Sequence, residues 1–219
     1  RLALAEHVGT AGDADALRAL VRDDFVFEDR SKRALVRGDI ETWIGSMQFT
    51  MALPEIRFEM ELIAVLGERI ALQSLVAKGG PEGGEFELLH RIRLFEVDAA
   101  GKLGAVILFD LDDRARAFVE ALERFAAGEA ADAGDVAPFA AFMRACAAYD
   151  WETVRRTLAP DFVFDDRRTL GLGRLDRDQW IASFQTKAAL APGVAGEVRR
   201  VLAWNRHGVV VELRIHGAG

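Results

Sequence analysis

Two aspartates stand where a side chain could take up or release a proton. Asp29 and Asp166 each close the phrase Phe-Val-Phe-x-Asp-Arg, which occurs at Phe25–Arg30 and again at Phe162–Arg167. Alternate side chains of a strand share a face. Phe25, Phe27 and Asp29 therefore point one way, as do Phe162, Phe164 and Asp166. A carboxyl drawn among apolar groups has a raised pKa and can serve as a general base. The competing role is structural: Arg30 and Arg37 in the first phrase, and Arg167 and Arg174 in the second, stand at matching offsets. A carboxylate held by arginine has a lowered pKa and is a poor base. That ion pair is the expected role of both aspartates.

The third candidate is His90, in the register Phe86, Leu88, His90, Ile92, Leu94. This alternation predicts that it faces the interior, where an imidazole could act as base or donor; the expected role is again structural, a satisfied core histidine. Asp110 in the phrase ILFDLDD precedes a helical stretch, and one of Asp110, Asp112 and Asp113 is expected to cap that helix. His7, His207 and His216 share no metal-ligand spacing, and the single Cys146 cannot build a zinc site. No metal and no cofactor is expected. The chain carries no G-x-S-x-G, no Rossmann fingerprint and no phosphate-cradling loop before a helix.

The elements that must carry these residues are readable from the pattern. A short helix over Ala14–Arg22 is capped by Asp13, and Phe25–Asp29 is a strand. Ser31–Gly38 is a basic turn. Asp39 then caps a helix to about Leu53, with Ile40, Trp43, Ile44, Met47 and Met51 at helical spacing. The alternation Ile56, Phe58, Met60, Leu62, Ala64 opens a run of four strands, reaching Phe109, and a closing helix ends near Gly128. Helices set against a mostly antiparallel sheet make an α+β fold.

The same plan recurs. Residues 13–53 align without a gap to 150–190, with 17 of 41 positions identical at a constant offset of 137. That offset is too long for a solenoid repeat and matches one small domain plus a linker. The expected organisation is a first copy over 1–127, a linker over 128–137 and a second copy over 138–219. The second copy stops short of its last strands, and the sequence is expected to be a piece of a longer protein. With 51% hydrophobic and 29% charged residues and a net charge of −7, the chain reads as globular and offers nucleic acid or an anionic membrane no basic surface. No apolar run is long enough to span a bilayer. One cysteine and no signal-peptide pattern point to the cytoplasm.

The phrases DFVFEDR, DFVFDDRRTLGLGRLDRDQW and ILFDLDD resemble the SnoaL-like branch of the nuclear-transport-factor-two-like superfamily. The resemblance covers nearly all of the first copy and about two thirds of the second. It implies two tandem cone-shaped domains, each a curved antiparallel sheet wrapped around helices and enclosing an apolar pocket. It implies pocket walls from Phe25, Phe27, Trp43, Phe58, Met60, Leu88, His90 and Phe109, and from Phe162, Phe164, Asp166 and Trp180 in the second copy. The family includes isomerases, polyketide cyclases, dehydratases and non-catalytic members, and such pockets use a carboxylate or histidine as base, which here would be Asp29 or His90. Tandem copies of this kind resemble regions appended to large regulatory or cyclase-type proteins of high-GC bacteria. The leading expectation is a non-catalytic region that binds an apolar small molecule or a partner. The alternatives are an isomerase, cyclase or dehydratase working by general acid–base catalysis, and a module that forms homodimers through its sheet faces.

Overall fold

The computed structural model describes residues 13–32, 34–53, 55–80 and 86–216, without the side chains of Leu88 and His216. Its contacts divide the chain into two compact units, Arg1–Phe125 and Ala126–Gly219. Both mix helices and strands, so the fold is α+β.

In the first unit, α1 (Ala14–Leu20) leads into β1 (Val21–Asp29), β2 (Val36–Gly38) and α2 (Ile40–Met51). Asp13 caps α1 through the Ala16 amide, and Asp39 caps α2 through the amides of Glu41 and Thr42. Four antiparallel strands follow: β3 (Arg57–Leu66), β4 (Ile70–Gly79), β5 (Phe86–Val97) and β6 (Leu103–Asp110). The chain ends this unit with a short 3-10 turn and α3 (Arg114–Ala127). Within the unit the strand order is β3-β4-β5-β6-β1-β2. β1 lies parallel to β6, so Phe27 stands beside Val106 and Asp29 beside Leu108. The basic turn expected over residues 31–38 thus contains a short strand, β2, which places Arg37 opposite Glu28.

Both faces of this sheet are covered. On one face Phe25 and Phe27 pack with Trp43 and Ile44 of α2, Leu17 of α1, and Phe95, Leu103 and Val106 of the sheet. On the other face α3 is tied down by charge. Glu120 pairs with Arg30 at 2.9 Å and with Arg124 at 2.9 Å, and Arg124 reaches Glu96 at 2.6 Å.

In the second unit, α4 (Val136–Ala147) precedes α5 (Trp151–Thr157), the hairpin β7 (Val163–Asp166) and β8 (Gly173–Asp176), and α6 (Arg177–Leu190). A second hairpin pairs β9 (Ala195–Asn205) with β10 (Gly208–His216). From α5 to β10, each element stands about 137 residues after its counterpart from α1 to β4. Asp150 and Asp176 repeat the caps, and Asp176 with Gln179 closes a full capping box.

Candidate functional site

The first unit holds a cavity of about 140 Å³ between α2 and one face of the sheet. β1 contributes Phe27 and Asp29, and α2 contributes Trp43, Ser46, Met47, Thr50 and Met51. Phe58 and Met60 come from β3, Leu75 from β4, and Leu108 from β6; β5 adds Leu89, Arg91 and Arg93. Of the residues expected to form the walls, Phe27, Asp29, Trp43, Phe58 and Met60 are brought together here. Phe25 lies deeper in the core, its ring 5.5 Å from that of Trp43.

His90 and Phe109 are not wall residues, which corrects the expected register of β5 and β6. Leu89, Arg91 and Arg93 take the cavity side, and their pairing sets Arg91 opposite Asp110 and Arg93 opposite Leu108. His90, Ile92 and Phe109 consequently point to the opposite face. There His90 Nε2 lies 3.1 Å from Ser74 Oγ, and the Arg30 guanidinium covers the Phe109 ring at 5.4 Å. The side chain of Leu88 lies outside the described residues. Sequence reasoning missed Arg91 and Arg93, whose alternation with Leu89 and Phe95 was the available signal.

The expected arginine clamp on Asp29 is also absent. Arg30 binds Glu28 at 2.6 Å and Glu120 at 2.9 Å, and Arg37 lies 3.5 Å from Glu28. All these carboxylates stand on the face away from the cavity. Among the described residues no cation pairs with Asp29, whose Oδ1 accepts the Ser31 amide at 2.9 Å. Arg91 is neutralised by Asp110 at 3.0 Å. Arg93 binds Gln73 and lies 5.1 Å over the Phe95 ring. Asp110 does not cap the following turn; its carboxylate takes Arg91 and the Lys32 amide at 2.8 Å.

Asp166 is treated differently. Its side chain is 3% exposed and grips Arg168 through two bonds of 2.8 and 2.7 Å, with the Leu172 amide at 3.0 Å. The Arg168 guanidinium, then the Leu172 amide, hold this carboxyl far below the usual range. The clamp comes from Arg168; Arg167 pairs with Asp165. A lowered folded pKa adds stability that is complete above the unfolded value of about 3.9 and fades as pH falls through the folded one. Asp166→Asn is therefore expected to lower the urea midpoint at pH 7, with the gap to wild type narrowing as pH falls below about 3.9. A gap that widened in acid would refute this sign.

Around Asp166 in the second unit, Trp180 meets Phe142, Phe162, Phe164 and Phe184, the last at a ring separation of 4.4 Å. Burial pushes the Cys146 thiol up to about 12, so it holds no thiolate at neutral pH.

No family model matches this chain, and no curated protein matches it. Solved structures superpose on about half of it. A loop-truncation variant of IdmH is 23% identical, with 49% of this chain and 88% of that one covered and a TM-score of 0.42. A Δ5-3-ketosteroid isomerase from Mycobacterium sp. is 17% identical over 48% and 86%, with a TM-score of 0.38. An NTF2-like protein of unknown function from Cytophaga hutchinsonii is 8% identical over 49% and 84%, with a TM-score of 0.36. At these scores no residue role passes from those proteins to this one. No helix among the described residues is long and apolar enough to cross a membrane.

Proposed function

We propose that the first unit is a non-catalytic receptor for one small, largely apolar molecule that carries a hydrogen-bond donor. The observation that supports this is the cavity itself: nine of its 14 lining residues are apolar, three rings and three thioethers among them, and Asp29 is the one carboxylate in that lining. Sites of this composition gain affinity from apolar burial and orientation from a few polar groups. The volume of about 140 Å³ suits a single aromatic ring. Met47, Met51 and Met60 are flexible enough to admit somewhat more. The setting in a larger bacterial regulatory protein comes from the sequence resemblance alone.

Thermal-shift and calorimetric titration of the chain with p-cresol, 2-naphthol and cyclohexanol tests this reading. Saturable binding of one molecule per chain with a raised melting temperature is expected. Absence of binding by all three, together with turnover of an enone or polyketide, would overturn it.

The second reading is an enzyme of the isomerase, cyclase or dehydratase type, and the freedom of Asp29 from arginine favours it. A carboxylate uncommitted to a cation has its oxygens open to a bound substrate. Homodimerisation through a sheet face is the third reading. It draws on the β9–β10 hairpin, where Leu202, Val210, Leu213 and Ile215 are exposed, and analytical ultracentrifugation tests it.

A further inference from the structure

Among the positions at which the two units differ, three lie beside the strand carboxylate or the helix tryptophan. Residue for residue, Ser31 stands 137 positions before Arg168, Ala34 before Gly171, and Met47 before Phe184. In the second unit Arg168 grips the strand carboxylate with two bonds, and the loop closes until the Leu172 amide reaches it. That approach requires glycine, because a Cβ at Gly171 would lie 2.6 Å from the Asp166 carboxyl carbon. Phe184 packs on Trp180, with the ring centroids 4.4 Å apart.

In the first unit each device is missing. Ser31 is fully buried and its hydroxyl has no hydrogen-bond partner. This is an uncommon state for a buried polar group, and it sits at the position where the other unit sends out an arginine. Ala34 stands at the position of Gly171, and Met47 lines the cavity with Trp43 at the position where Phe184 packs on Trp180.

We infer that the second unit is a closed copy of the site, and that Ser31 and Met47 are the residues that keep the first copy open. The inference rests on the reading of the first cavity as a site, but not on the identity of its ligand. Ser31 acts as a positioning residue, through the carboxylate beside it. The chain therefore offers one binding site per two units, with the second unit serving as scaffold.

Two measurements on the intact chain test the inference. The first is a carboxyl ¹³C NMR titration, which reads the clamp without any ligand. Arg168→Ser is expected to raise the Asp166 midpoint by at least about one pH unit, and Ser31→Arg to lower that of Asp29 by about 1–3. Arg91 and Arg93 line the same cavity as Asp29, with Asp110 paired to Arg91, and all three are unchanged between these samples. An Asp166 midpoint unmoved in Arg168→Ser overturns the clamp, even if Ser31→Arg fails to fold. The second uses xenon, which enters empty apolar cavities. Xenon-induced shifts are expected at the Trp43 indole and not at Trp180; Met47→Phe should abolish them, and Phe184→Met should create them at Trp180. Shifts at Trp180 in the wild-type chain, or none gained in Phe184→Met, overturn the filling. Failure of phenols to bind would sink the receptor reading and leave both of these results standing.

Discussion

Phe27→Ala is expected to cost about 3–5 kcal/mol of stability, the range for removing a fully buried aromatic ring. The ring is 1% exposed and belongs to the cluster that joins α1, α2 and the sheet. It stands at the crossing of two pairings, beside Val106 on β6 and opposite Gly38 on β2. Nothing nearby can collapse into the gap without disturbing both. One side of the ring already borders the cavity, so truncation enlarges an existing void, where the cost follows the volume left behind. The counterpart Phe164→Ala is expected to cost less, because Phe164 is only half-buried and Trp180 keeps three other aromatic neighbours. Urea unfolding of the intact variants gives both values. A loss below about 1 kcal/mol for Phe27→Ala would show that this cluster is not a close-packed core.

The same two phrases show how far the sequence could be read. Capped helices, the Phe-x-Phe strand and the antiparallel run were legible because each has a local cause: an aspartate before a helical period, an alternation, a Gly-containing turn. The faces of β5 were not. Ile92 and Leu94 are fully buried, as their alternation predicts, but on the face away from the cavity. A sheet covered on both sides buries apolar residues in both registers, so hydrophobicity cannot say which buried face holds the site. The partners of Asp29 were illegible for a related reason. Arg30 and Arg37 stand at the right offsets, yet consecutive strand residues point to opposite faces. Arg30 is claimed by Glu28 and by Glu120, 90 residues away. The residue that does clamp an aspartate, Arg168, is two positions after its carboxylate, and its counterpart Ser31 offered no pattern to notice. Only the folded loops set Asp166, gripped by Arg168, apart from Asp29, which accepts the Ser31 amide.

Asp29→Asn is expected to separate the two leading functional readings by the size and kind of its effect. Asparagine keeps the shape of the side chain and an oxygen to accept the Ser31 amide, so the loop should hold its place. What disappears is the negative charge and the ability to take a proton. If the first unit is a receptor, a bound phenol loses one charge-assisted hydrogen bond, a loss of about 1.5–3 kcal/mol or roughly 10–150-fold in Kd. Cyclohexane-like probes without a donor should bind the variant as well as they bind wild type. If the unit is an enzyme, removing the general base should lower kcat by about 10²–10⁴-fold while KM changes little. The two results are told apart by which quantity moves, measured on one pair of proteins with calorimetry and a turnover assay. Wild-type values in both assays would place Asp29 outside the chemistry altogether. The other walls would then set what the cavity admits, with Trp43 and the three methionines on the apolar side and Ser46, Thr50, Arg91 and Arg93 on the polar side.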